Sequence, residues 1–472
     1  MRKRVLIVVF VVFVIVVSGL YFTYASIDTQ SIGIKDYPLL IGDTNSVTLD
    51  ANTSEVVYYK IKNNNNGIIN YGIAYSGTDI TVKEYYISDN SSTGSINGGE
   101  TKYITLYIDN SSNTSNTVNI TTIFGYVNGG DLIVPSGYSL VTEKYERTMM
   151  NNYLKNLYSS ATKSTVKNGS IGTAITYNIA SSEGLINDRL SSSSTDIDGG
   201  NIRYYGANPN NYIYFNWSDY NNQSSSTCEL WRIIGVFDDK VKIMRGSQIG
   251  NLAWDQDKNI DINLTTSDNN WSTATLMKLL NDKYYDGDTS GIVSYYSDSS
   301  GSTSTSIDMN DIGIKNDETR EMMIDTVWNL GGWFSALIYT SDMYGYEVGT
   351  NVYSGNPATW TGKIALAYPS DYGYAVDFSK CNKTLYNYNV TACTSNNWMF
   401  NIVTDNGNSA GWLLTPISND GVSAWHVNTQ GFLRDLHSTY LAESVTPTLF
   451  LHANVIYDGG DGSIDNPYRL SL

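Results

Sequence analysis

Three histidines are present, His426, His437 and His452, and they form no His-Glu-x-x-His pair. A Walker loop and a dinucleotide fingerprint are equally missing from the sequence. The common zinc-hydrolase and nucleotide chemistries are therefore unsupported, and no catalytic residue is assigned. Paired carboxylates are all that a glycosidase requires. With 46 acidic residues, however, pairing by chance is expected, so an exported carbohydrate-active enzyme stands only as an alternative.

Two groups of residues could bind rather than catalyse. Asp255, Asp257, Asn259 and Asp261 place oxygen ligands at alternating positions, as calcium loops do, because Ca²⁺ takes six to eight hard oxygens from a short segment. Ile260 stands where such a loop needs Gly and Thr266 where it needs a bidentate Glu, so a solvated acidic loop is the competing reading. Asp458, Asp461 and Asp465, among Gly459, Gly460 and Gly462, read as a hairpin tip. Trp412 and Trp425 flank an Asn419-Asp420-Gly421 turn and are read as core residues in preference to a sugar platform. On a strand His426 faces away from Trp425, hence toward solvent. His426, Arg434, Asp435 and Tyr440 are accordingly the candidate ligand face.

Of the three cysteines, Cys381 and Cys393 form the natural disulfide pair. They flank Asn382–Ala392, where turn-prone asparagines interleave with tyrosines, and a hairpin-like loop would bring their Cα atoms within the roughly 4.4–6.8 Å that a disulfide requires. Cys228 is left as a free thiol.

The elements that must position these residues are mostly strands. From Ser26 to Thr142 apolar residues alternate with period two, as in Val57, Tyr59 and Ile61 or Ile104, Leu106 and Ile108, between polar turn clusters. This pattern predicts a β-sandwich over residues 26–142. Met150, Leu154, Leu157 and Ala161 recur at helical spacing, predicting a helical linker over residues 143–163. Residues 164–472 read as an α+β domain. It holds a hairpin of Trp231–Phe237 and Lys240–Met244, a helix from an N-cap at Ser272 to Asn281, and a second helix over Asp317–Leu330.

At the N-terminus Arg2-Lys3-Arg4 precedes an apolar run from Val5 to about Leu20, and then Tyr21, Phe22 and Tyr24. A run near the roughly 20 residues needed to span a bilayer, with its basic flank inside, predicts a single-pass anchor over residues 1–25 and an extracellular remainder. A cleaved signal peptide is the alternative, and it exports the chain equally. The net charge of −17 would repel nucleic-acid phosphates, which excludes that partner class. The 38 tyrosines, with abundant Asn, Ser and Gly, match the composition of recognition surfaces.

Several segments together resemble a large family of exported Gram-positive, Firmicutes-type surface proteins. They are Gly199-Gly200-Asn201-Ile202-Arg203-Tyr204-Tyr205-Gly206, Trp231-Arg232-Ile233-Ile234-Gly235-Val236-Phe237, Asn270-Trp271-Ser272-Thr273, Ser370-Asp371-Tyr372-Gly373-Tyr374-Ala375, Asn397-Trp398-Met399, Trp412-Leu413-Leu414-Thr415 and Asn466-Pro467-Tyr468-Arg469-Leu470. The resemblance spans roughly Ile175 to the C-terminus. Its closing strands are also similar to C-type-lectin-like and formylglycine-generating-enzyme-like domains, an analogy of fold alone. Residues 26–142 loosely resemble the immunoglobulin-like stalk domains of Gram-positive surface proteins. Relatives carry Cys where this chain has Trp217, which implies a reduced Cys228, and Arg where it has Thr446.

The expected architecture is thus predominantly β: an N-terminal transmembrane helix, an immunoglobulin-like β-sandwich and an α+β C-type-lectin-like domain. The expected role is surface recognition or adhesion toward a glycan or protein ligand, with no cofactor unless Ca²⁺ binds. A pilus or matrix subunit is the structural alternative.

Overall fold

The computed structural model describes residues 27–30, 44–64, 66–85, 91–127, 132, 134–145, 148–189, 200–220, 222–255, 268–287, 292–296, 304–435 and 437–472. The segment expected to span the membrane lies outside them. Among the described residues no helix is long and apolar enough to cross a membrane. The fold is predominantly β, and the chain divides into two compact units, one ending at Arg147 and one beginning at Thr148.

In the first unit the alternating apolar residues build two five-stranded sheets. Thr53–Asn63 pairs antiparallel with Thr101–Asn110 in one, and Asn116–Val127 pairs with Thr44–Leu49 and Ile69–Ser76 in the other. Val57, Leu106 and Ile108 from the first sheet share one core with Val118, Ile73 and Tyr71 from the second, so the sheets pack face to face.

The second unit is organised by a nine-stranded sheet, most of whose strands come in hairpin order, with Thr448–Leu451 added beside Lys240–Arg245 and Ile364–Ala365 beside Thr448–Leu451. The hairpin of Glu229–Phe237 and Lys240–Arg245 turns at Asp238, whose φ of 56° is one that Asp tolerates. Both faces of this sheet are covered. Ile233, Val241 and Ile243 enter one core, while Ile234, Met244 and Ile186, pointing the other way, enter a second. A second, five-stranded sheet contains Gly411–Pro416 and Ala424–Val427.

Three helical expectations are corrected. The helix Met150–Ser160 is no free linker: Met150, Leu154 and Tyr158 are buried in the larger core of the second unit. The helix near Ser272 begins at Thr275, where the Asp255 carboxylate accepts the Thr275 N–H at 3.1 Å, and it continues in a wider turn to Tyr284. Asn270, not a helix terminus, binds the Ser272 amide and hydroxyl. The second helix stops at Glu321, and Thr326–Asn329 is a strand paired with Thr359–Gly362. Burial of Trp328, whose Nε1–H donates to the Gly362 carbonyl at 3.0 Å, outweighs the local helical pattern.

Candidate functional site

An open groove of about 670 Å³ lies on the second unit. Five stretches of chain converge on it, and the strand Ile202–Tyr204 delivers Tyr204 and Tyr205. The helix Met150–Ser160 contributes Tyr153 and Leu157, and the C-terminal segment contributes Tyr468. The phenols form a connected floor. Tyr204 and Tyr468 hydroxyls lie 3.4 Å apart, the Tyr153 ring meets Tyr468 edge-on at 5.7 Å, and Tyr153 stacks on Tyr457 at 3.7 Å. The Tyr468 hydroxyl bonds are shielded, and burial pushes its pKa up to about 12.

Carboxylates ring the floor: Glu183 after the strand Ile175–Ala180, Asp377 after the helix Pro369–Tyr374, and Asp461 in the C-terminal turn. Burial raises the pKa of Tyr153, Tyr204 and Tyr468, and the negative field of Glu183 adds to that rise in all three. At neutral pH these phenols hold their protons, and the buried Tyr204 and Tyr468 hydroxyls pair with each other beneath the groove surface. The Asp461 turn requires glycine at Gly462, where φ is 74° and a Cβ would lie 2.3 Å from the Asn210 carbonyl. Lys380 brings a positive charge to the wall. Chemically the groove offers carboxylate acceptors, the Lys380 ammonium and the half-buried Tyr153 over a tyrosine floor, a set suited to a hydroxyl- or amide-rich ligand.

The candidate ligand face built around His426 is differently placed. His426 is buried, as is Trp425 beside it, because the strand Ala424–Val427 lies between two cores. Trp425 points into one; Trp412 and His437 cover His426 on the other side, with the two histidine rings 4.0 Å apart. Expecting solvent on the second face of that strand was therefore wrong. Burial, followed by His437 and Arg434, lowers the His426 pKa well below the usual histidine value. His437 Nε2 meets Glu443 Oε1 at 2.6 Å in a half-buried pair. Arg434 lies across from His426 and is exposed, whereas Asp435 and Tyr440 are half-buried. The reading of Trp412 and Trp425 as core residues agrees with their burial.

Asp257, Asn259 and Asp261 of the calcium pattern lie outside the described residues. Asp255 is fully buried and accepts from the Asp268 and Thr275 amides, so it anchors a helix start. No group of three or more metal-binding side chains occurs among the described residues. Cys381 and Cys393 form the disulfide, with Cα atoms 4.9 Å apart. The intervening loop is two short helical turns, Leu385–Asn387 and Thr391–Thr394, instead of a hairpin. Cys228 is a free, half-buried thiol.

The family-like segments converge as well, though on packing. Arg203 binds Asp188 and Asp371, each at 2.6 Å, and Lys242 binds Asp371 at 2.5 Å, all fully buried. The Asn397 amide donates to the Tyr372 carbonyl at 2.9 Å, and the Trp398 indole donates to Tyr204. These motifs hold the sheet to its covering helices. Sequence reasoning missed the groove because Glu183, Asp377 and Lys380 carry no motif, although Tyr204, Tyr205, Gly206 and Tyr468 lie within family-like segments.

No family model matches the chain, and no curated protein matches it. The crystal structure of a FixG-related protein from Vibrio parahaemolyticus is similar at 11% identity and a TM-score of 0.14, over 22% of this chain and 99% of that one. A likeness of that size carries no argument about fold or function.

Proposed function

We propose that this chain is a cell-surface recognition protein whose C-terminal unit binds a polar ligand, a surface glycan in the first instance, in the tyrosine-floored groove. In this reading residues 1–25 anchor the chain with its N-terminus inside. The β-sandwich serves as an immunoglobulin-like stalk, and the second unit is a C-type-lectin-like head outside the cell. The groove is the observation that supports the reading: four tyrosines and three carboxylates meet in an open site of about 670 Å³. Rigid amphipathic rings beside small polar groups give contact area at low entropic cost, as recognition surfaces do.

Binding of the full chain to an array of surface oligosaccharides tests it. Saturable binding without product release is expected, and the Glu183→Gln and Asp461→Asn variants should weaken it about tenfold. Undiminished binding by both variants would remove the groove from the reading.

A further inference from the structure

Lys242 stands in the middle of the nine-stranded sheet, paired with Phe450 on the neighbouring strand. Its Nζ lies 2.5 Å from Asp371 Oδ2, and neither side chain is exposed. The rings of Tyr368, Trp328, Phe237 and Phe450 stand 4.2, 5.2, 5.3 and 5.4 Å from that nitrogen and enclose the pair in an aromatic box. The other carboxylate oxygen, Oδ1, receives Arg203 Nη1 at 2.6 Å. Beside Asp371 in sequence, Ser370 donates its amide at 2.9 Å and its hydroxyl to the buried Glu347 carboxyl.

We propose that Lys242 and Asp371 condense into an intramolecular amide that staples the central sheet to the helix Pro369–Tyr374. Lys242 Nζ attacks Asp371 Cγ, the Cγ–Nζ bond forms, the Cγ–Oδ2 bond breaks, and Oδ2 leaves as water. The ammonium sheds two protons, and both depart with that oxygen. Ion pair and amide are each neutral, so charge balances and no oxidant or reductant enters.

The surrounding groups fit the demands of each stage. Arg203 faces Oδ1, the oxygen that stays and gathers negative charge in the tetrahedral intermediate. Burial pushes the Glu347 carboxyl, which is bound to Ser370 next to Asp371, up to about 8, so at neutral pH it stands protonated beside the pair as a relay for the second proton. Burial lowers the Lys242 pKa, whereas Lys242 and Arg203 hold Asp371 below its ordinary value against burial, so attack begins with transfer of an ammonium proton to Oδ2, 2.5 Å from the nitrogen. After condensation Arg203 keeps Asp188 at 2.6 Å, leaving one buried cation matched to one buried anion. The desolvation cost of a second dry ion pair is then gone.

Peptide mapping of the full chain decides the matter. Trypsin cuts after Lys240, Arg245, Lys363 and Lys380, and an acylated Lys242 resists it. The expected product is a branched peptide joining residues 241–245 to 364–380, lighter than their sum by one water. Glu347→Gln, which preserves shape, should fold with an unchanged near-ultraviolet spectrum and yield the branched peptide at least about tenfold more slowly. Lys242→Arg keeps the charge and must give linear peptides only. Quantitative recovery of linear 364–380 together with cleavage after Lys242 in the unaltered chain overturns the proposal and leaves a buried ion pair.

Discussion

The Trp398 indole N–H donates to the Tyr204 carbonyl at 3.0 Å, so a loop residue nearly two hundred positions downstream fixes the backbone of the groove floor. Trp398→Phe keeps most of the buried ring and deletes the donor. We expect a loss of about 1–2 kcal/mol in urea denaturation, from a buried carbonyl left without its partner, together with weaker glycan binding. Unchanged affinity at reduced stability would show that the floor does not depend on this bond.

Arg203 lies between Asp188 and Asp371 with the rings of Phe237 and Tyr374 at 4.5 and 4.8 Å. Burial alone would lower the guanidinium's pKa, but the two carboxylates outweigh it and raise it. Arg203→Met leaves the buried Asp188 carboxylate without its cation, and a destabilisation of about 3–5 kcal/mol is expected. Calorimetry on the full chain would show it as a lowered second-unit transition; a change under 1 kcal/mol would contradict the buried-charge account.

The disulfide closes a sequence separation of 12 residues. In the chain-entropy model a loop of that order stabilises by about 3 kcal/mol. The Cys381→Ser, Cys393→Ser double variant should therefore unfold at lower urea concentration. Ser379 and Lys380 on the groove wall directly precede Cys381, so ligand affinity should fall as well.

His426 gives stability a pH dependence of definite sign. Its pKa is lowered in the folded state by burial, by His437 and by Arg434. The unfolded chain therefore binds the proton first, near pH 6.5, and stability should decline as pH falls below about 6.5. His452, whose pKa is also lowered by burial, contributes in the same direction. In melting curves from pH 7.5 to 5.5, His426→Leu should flatten the decline without abolishing it. An identical slope would show that His426 takes up its proton in the fold.

Local patterns in the sequence carried much of the β architecture. The alternation of Val57, Ile61, Leu106 and Ile108 marks the sandwich core, and Asp238-Asp239 marks the hairpin turn, because both depend on neighbours within a few residues. The failures arise where distant segments decide. Trp328 becomes a strand residue only because Thr359–Gly362 lies beside it, and His426 is buried only because Trp412 and His437 cover it. The groove combines Glu183, Asp377 and Asp461, which nothing in local spacing connects. Arg203, Asp371 and Trp398, to which the sequence alone assigned no role, are ties within the core.

The groove touches the helix Met150–Ser160 through Tyr153 and Leu157, two residues of the first helix after the start of the second unit. Thr148 and Met149 are themselves hydrogen-bonded or bridged to Tyr457 and Ile456, and Tyr457 stacks on Tyr153. Tension on a seated ligand would thus run from Tyr153 and Tyr468 to Thr148 through a short stretch of chain. The five-stranded sheet of the second unit supplies no residue to the groove and lies off that line. In the proposed reading, a pull on a seated ligand would therefore load the C-terminal turn and the first helix of the unit, with the five-stranded sheet spared.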